Sequence, residues 1–379
     1  MIAFDDLSFC ESRTAASREM LRALGLFRAP VVSSLLREPE LDEWLLVALR
    51  TLLACVVGEE DSAFSAWGHL RRHREATDNK SDTQAITDLK SITAVTEEIL
   101  LGIHPPSFRA NPDQTDAVSV LADVVSSVLP GLDGWKSLRY ADDALIHFVP
   151  PADLDYNIPL WANDDANAKE PNRWILSNQP RTPPLLNYWS YDEAEWEFWQ
   201  TWYQGFVDGS PIDMELQRRI AGIHDTIWEN GLKAVADEIE RIRTQWQVEV
   251  ALSELTDSFE VVTSPRDGIG GNNPPEDIHD ELLSGSITLI WEATQELSTA
   301  LEDEEPSSEW IKAILNKLKS GLAGLLKWSA LSTKLAVGTV IVIGSKQVTT
   351  AVVDAYIAKH PEKIQTLIEV LERFLPFLR

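Results

Sequence analysis

Between Trp196 and Gly209 the chain reads WEFWQTWYQGFVDG, with five aromatic rings in the first eight residues. So many large rings in one short segment must either fill the core of a folded unit or present a flat surface to a ligand. Trp196, Trp199 and Trp202 stand at i, i+3 and i+6, and Tyr203 is four residues after Trp199. That spacing lays them along one broad face of a helix, which Phe206 extends and Phe198 flanks. The expected role is core, packed on a neighbouring helix that carries Ile227, Trp228 and Val235. The alternative is an aromatic platform for a base, a sugar or a partner helix. Glu193, Glu195 and Glu197 suit the positive end of the helix dipole and need no catalytic role.

Helical spacing dominates the rest of the chain. Met20, Leu21, Leu24, Leu26 and Phe27 form one stripe, and Val31, Val32, Leu35 and Leu36 a second. Leu41 to Val57 is nearly continuous in apolar residues. It is seventeen residues long with Asp42, Glu43 and Arg50 inside, which makes it a buried core helix and not a membrane span. Asp61 and Ser62 are placed to cap a helix through Phe64, Trp67 and Leu70. Further patterns at Thr83–Leu101 and Thr115–Leu129 complete an expected helical domain over residues 1–130. Residues 131–190 hold seven prolines among repeated Asn and Asp, the composition of ordered loop. A Trp-rich helical unit is expected over 191–262, with helices at Asp192–Val207, Met214–Ile223 and Asp225 to about Leu255. The run TSPRDGIGGNNPPEDIHDE then reads as a flexible linker over 263–280. A C-terminal helical module over 281–379 follows, with helices at Glu281–Leu301, Ser308 to about Lys327 and Pro361–Leu375. The predicted fold class is all-α and multi-domain, with a loop-rich Pro/Asn/Asp central segment.

Four segments in succession resemble an arrangement that recurs in uncharacterised bacterial proteins. They are IPLW (158–161), WEFWQTWYQGFVDG (196–209), IHDTIWENGLKAVADEI (223–239) and GIGGNNPPE (268–276). In those proteins a WxxWxxWY helix precedes a glycine turn, an IWxxGxxxVxxEI helix and a GIGxNNPPE linker. The likeness covers roughly the middle third of this chain and brings no activity with it.

Charge bounds the partners. Thirty-three Lys and Arg stand against 60 Asp and Glu, a formal net charge of −27. A surface this acidic repels a phosphate backbone, so nucleic acid is not an expected partner of the body. Pro306–Arg379 reverses the sign, with ten Lys or Arg against five Asp or Glu. The two cysteines, Cys10 and Cys55, form no disulfide framework and no multi-cysteine zinc site. MIAFDDLSFCESR has no basic region ahead of an apolar one, so a cytoplasmic protein is expected.

Candidate chemistry is sparse. His69 and His73 have the i, i+4 spacing of two zinc ligands on a helix, but Leu70 stands where a metalloprotease motif needs glutamate. Arg71, Arg72 and Arg74 make the neighbourhood cationic, so a solvated basic helix is expected there and no metal. His224 and Asp225 are adjacent and do not face each other on a helix, which leaves Asp225 as an expected N-cap. GIGG lacks the Lys-Ser or Lys-Thr of a phosphate loop, and neither cysteine stands in a nucleophile context. No cofactor, metal or catalytic residue is expected.

The basic end carries the functional expectation. Trp310, Ile311, Leu315, Leu318, Leu322, Leu326 and Trp328 line one side of a helix, joined by Ile314 and Leu325, and Lys312, Lys317, Lys319 and Lys327 line the other. Such a helix lies in an anionic membrane interface or docks into a groove on a partner protein. It leads into LAVGTVIVIGS, eleven uncharged residues from Leu335 to Ser345, too short to span a bilayer alone. A buried helical hairpin is the structural alternative. The expected protein is therefore a non-enzymatic interaction or effector protein, cytoplasmic or peripheral at the membrane, with oligomerisation open. The rival reading is a hydrolase with a carboxylate-lined site in residues 131–190, from Asp142, Asp143, Asp153, Asp155, Asp164 and Asp165.

Overall fold

A computed structural model describes residues 39–77, 193–263, 281–303, 306–336 and 361–378. It also places single positions between 17 and 24 and between 86 and 97, together with Asn157, Leu160 and Trp189. The described residues fold into helices and turns, with no strand among them. In chain order the helices are α1 (Pro39–Val57), α2 (Glu60–Thr77), α3 (Glu193–Asp208), α4 (Met214–Ala221) and α5 (Asp225–Glu229). They continue with α6 (Leu232–Thr263), α7 (Glu281–Leu301), α8 (Ser308–Ala336) and α9 (Pro361–Phe374), which a short 3₁₀ turn closes at Leu375–Phe377. The expected all-α class is what the described residues adopt.

The chain divides into two compact units, Met1–Ile239 and Glu240–Arg379. Residues that sequence patterning assigns to separate N-terminal and Trp-rich units thus belong to one, since α4 packs on α1 and α5 on α2. The division falls inside α6. Of the expected linker over 263–280 only Thr263 is described, as the last residue of α6, and residues 264–280 lie outside the described residues.

In the first unit, fifteen of the nineteen residues of α1 are buried, as a helix apolar all round requires. Gly58 ends it at φ +71, its N–H donating to Ala54 O at 2.8 Å. The rings of α3 are core: Trp196, Trp199, Trp202, Tyr203 and Phe206 are fully buried, and Phe198 is nearly so. Trp199 meets Trp202 edge-on at 5.6 Å and tilts against Trp228 at 6.3 Å, so the expected contact with the Trp228 helix forms. Trp189 stacks on Trp196 from outside α3. Indole N–H groups find acceptors, Trp202 Nε1 on Gln217 Oε1 at 2.9 Å and Trp228 Nε1 on Ile223 O at 3.0 Å.

The expected single helix from Asp225 to Leu255 is two. The chain turns at Asn230-Gly231, with Gly231 at φ +87, and restarts at Leu232. A left-handed residue stops helical propagation, and glycine carries that conformation without a Cβ penalty. The apolar period runs on across the turn, which is why periodicity alone joins the two segments. The expected cap also shifts by one residue. His224 is the N-cap of α5, accepting from Thr226 N through Nδ1, and Asp225 occupies the first turn.

In the second unit one core draws on four helices. Val248, Ala251, Leu252 and Leu255 come from α6, and Leu283, Ile287, Ile290, Ala293 and Leu297 from α7. Ile311, Ile314, Leu315, Leu318, Leu322 and Leu325 come from α8, and Ile364, Leu367, Ile368, Leu371 and Phe374 from α9. Each apolar side chain buried this way contributes roughly 1.5–3 kcal/mol relative to exposure. α7 and α8 approach closely because α8 has glycine at the contact. A Cβ on Gly321 would stand 2.5 Å from Ile290 Cγ1.

Candidate functional site

A buried charge is the first sign of a site. Arg50 sits in the apolar stretch of α1 and is 1% exposed, so its guanidinium requires partners. Its Nη2 donates to Ser65 Oγ on α2 at 2.6 Å and to Asp225 Oδ1 on α5 at 2.6 Å. Its guanidinium carbon also lies 4.8 Å from the centre of the Trp228 ring, a cation–π contact. The Ser65 hydroxyl donates to the same Asp225 oxygen. Arg72 donates from Nη2 to the other, Asp225 Oδ2, at 2.7 Å, and its Nε pairs with Glu229 at 3.0 Å. One aspartate therefore ties α1, α2 and α5 together.

The electrostatics follow from these contacts. Burial alone would raise the Asp225 carboxyl, but hydrogen bonds from Ser65, Arg50 and Arg72 outweigh it and hold the group well below the ordinary carboxylate range. Burial pushes Arg50 below its ordinary value, with Asp225 opposing the shift. The hydrogen bond to Asp225 raises Arg72. An aspartate so stabilised as an anion is a poor base, so the cluster acts as a clamp. Its proton-transfer capacity is small.

The expected solvated helix at His69 needs correction. His69 is 7% exposed, and burial, with Arg50, His73 and Arg72 adding positive charge, lowers it to about 3. It is neutral at physiological pH, and its Nδ1 is buried without a hydrogen-bond partner among the described residues. Arg71, Arg72 and Arg74 turn towards Glu75, Asp225 and Glu97, which leaves the histidine face to pack inward despite the charge around it. His73 lies edge-on to Trp44 at 4.6 Å. The two histidines join no group of three metal-ligating side chains among the described residues.

Above this clamp opens a cleft of about 300 Å³. Leu46 and Val47 of α1 and Trp228 of α5 give it an apolar lining, and His69, His73 and Arg72 line it from α2. Glu43 and Glu229 bring carboxylates, and Gly231 closes the edge. No local pattern in the sequence brings these residues together. The readable signal is the lone Arg50 inside an apolar run, which demands an acidic partner elsewhere.

The residues expected at a membrane or partner surface are split by the fold. Ile311, Leu315, Leu318 and Leu322 are buried in the core of the second unit. Trp310 and Trp328 are partly buried against that core. Lys317 pairs with Glu296 of α7 at 2.5 Å, and Lys319 with Glu372 of α9 at 2.6 Å. Lys312 and Lys327 are exposed, and Leu326 is 52% exposed. Of the apolar residues expected at that surface, Leu326 near the end of α8 is the exposed one, with Trp310 and Trp328 partly covered. The uncharged run after Leu335 and the proposed hairpin lie outside the described residues beyond Ala336, as do the six aspartates of the rival hydrolase reading. Among the described residues no helix is long and apolar enough to cross a membrane.

Comparisons of the chain with family models, with curated proteins and with solved structures find no match.

Proposed function

We propose that the chain is a cytoplasmic, non-enzymatic interaction protein that docks reversibly on an anionic membrane surface through the end of α8. The observation that carries this reading is Leu326. It is a leucine half in solvent on a helix whose other core-side positions are buried, with exposed Lys327 beside it and Trp328 partly covered. An exposed leucine flanked by an exposed lysine at the end of one helix matches an interface, where apolar groups enter the acyl boundary and cations meet headgroups. Burying the exposed half of Leu326 contributes roughly 1 kcal/mol, and Lys327 about 1 kcal/mol near an anionic surface. That sum gives only weak binding, so the Leu335–Ser345 run, which follows the same helix, supplies the second signal that stable attachment needs.

The test is co-sedimentation of the full chain with vesicles of neutral phosphatidylcholine and of phosphatidylcholine mixed with phosphatidylserine. The protein is expected to pellet with the anionic vesicles at low salt and to be released as salt is raised. Equal recovery with both compositions, or none with either, refutes the reading.

A further inference from the structure

We infer that the cleft between α1, α2 and α5 is a binding site for a small zwitterion with an apolar body, of the class of apolar amino acids. This inference is independent of the membrane reading, which concerns α8.

Three features carry it. The first is a leftover polar group: His69 lines the cleft, is more than nine-tenths buried, and keeps Nδ1 without a hydrogen-bond partner among the described residues. A buried polar atom left unpaired is costly unless something else completes it. The second is that charges of both signs have capacity to spare. Arg72 spends Nη2 on Asp225 and Nε on Glu229, which leaves Nη1 for a further acceptor, and its side chain is 50% exposed. Glu43 makes no ion pair among the described residues. Third, the apolar lining comes from Leu46, Val47 and Trp228, and the cleft volume of about 300 Å³ stands at the lower end of small-molecule sites.

The charge pattern selects the ligand. Burial is the main cause that lowers His69, and Arg50, His73 and Arg72 add positive charge beside it, which favours a carboxylate there. The Glu43 and Glu229 carboxylates at the same cleft disfavour a dianion such as phosphate and attract an ammonium group. A metal cation is disfavoured by Arg72 and by the absence of a third ligand among the described residues. A carboxylate on Arg72, an ammonium on Glu43 and an aliphatic or aromatic side chain on Leu46 and Val47 use the spare charges and the apolar lining at once.

Calorimetric titration of the full chain with L-leucine and L-phenylalanine tests this. The two arms that dissect the charges are 4-methylpentanoate, which lacks the ammonium, and 3-methylbutylamine, which lacks the carboxylate. At least one amino acid is expected to bind saturably at one site, with each analogue weaker than leucine by about tenfold or more, the effect of one charged hydrogen bond. Glu43 is exposed, so Glu43→Gln keeps the fold; it is expected to weaken the amino acid about tenfold and to leave 4-methylpentanoate unchanged. The inference is overturned if neither amino acid binds, if 4-methylpentanoate binds as tightly as leucine, or if Glu43→Gln leaves amino-acid affinity untouched.

Discussion

His69 should make the first unit acid-sensitive at a pH where ordinary carboxylates are still charged. In the unfolded chain its imidazole takes a proton near the ordinary value of 6.5, whereas in the folded chain it does so only at about 3. Between those values the unfolded state binds more protons, so stability falls as pH falls through the window. Above pH 6.5 the group is neutral in both states and contributes no pH dependence. Integrating a shift from 6.5 to about 3 gives a loss of roughly 2.5 kcal/mol on going from about pH 7.5 to about pH 4.5. Burial is the largest cause of the shift; Arg50, His73 and Arg72 add to it, and Asp225 opposes it. His69→Leu removes the titration and also an unpartnered buried nitrogen, so its stability near pH 7.5 should lie close to that of the parent. Urea unfolding of both proteins, followed by tryptophan fluorescence across this pH range, measures the difference. The variant should gain about 2.5 kcal/mol over the parent at about pH 4.5. Parallel loss of stability in the two proteins would mean that His69 is solvated after all.

Trp199→Ala empties a fully buried indole site and should cost about 3–5 kcal/mol, measured by chemical denaturation; an unchanged midpoint would return the aromatic face to solvent. Asp225→Ala leaves the Arg50 guanidinium buried without its carboxylate and should cost about 3–5 kcal/mol, whereas Arg50→Met, which removes the charge itself, should cost clearly less. If the two are equally damaging in the same denaturation assay, the clamp is packing and not charge. Gly231→Ala forces a Cβ into φ +87, and the same assay should show stability lower by about 1 kcal/mol. Backbone strain is the whole of that cost, since the added Cβ meets nothing within 4 Å.

Local patterns were legible in the sequence where chemistry repeats at a fixed spacing. The rings of α3 announce a core because Trp196, Trp199 and Trp202 can only share a face, and the apolar stripes of α7 and α8 announce their helices for the same reason. The α5–α6 break was hidden, since Trp228, Leu232 and Val235 keep their period across a turn made by one glycine at positive φ. Long-range partners were not legible. Asp225 lies 175 residues from Arg50, and nothing local to either residue names the other. Amphipathicity says that the face of α8 must be covered but not by what, and here α7 and α9 cover most of it. For the same reason a fragment beginning at residue 281 would lack Val248, Ala251, Leu252 and Leu255 of its own core.

The membrane reading is tested most directly at Leu326 itself. In a chain carrying Cys10→Ser and Cys55→Ala, an environment-sensitive dye is attached to a single cysteine at Leu326→Cys. A second protein carries it at Asn316→Cys, an exposed position ten residues, roughly 15 Å, earlier along α8. On adding phosphatidylserine vesicles at low salt, the dye at 326 should shift to the blue as it enters the acyl boundary, and the dye at 316 should not. Emission that stays the same at 326, or shifts equally at both positions, contradicts docking through the end of α8.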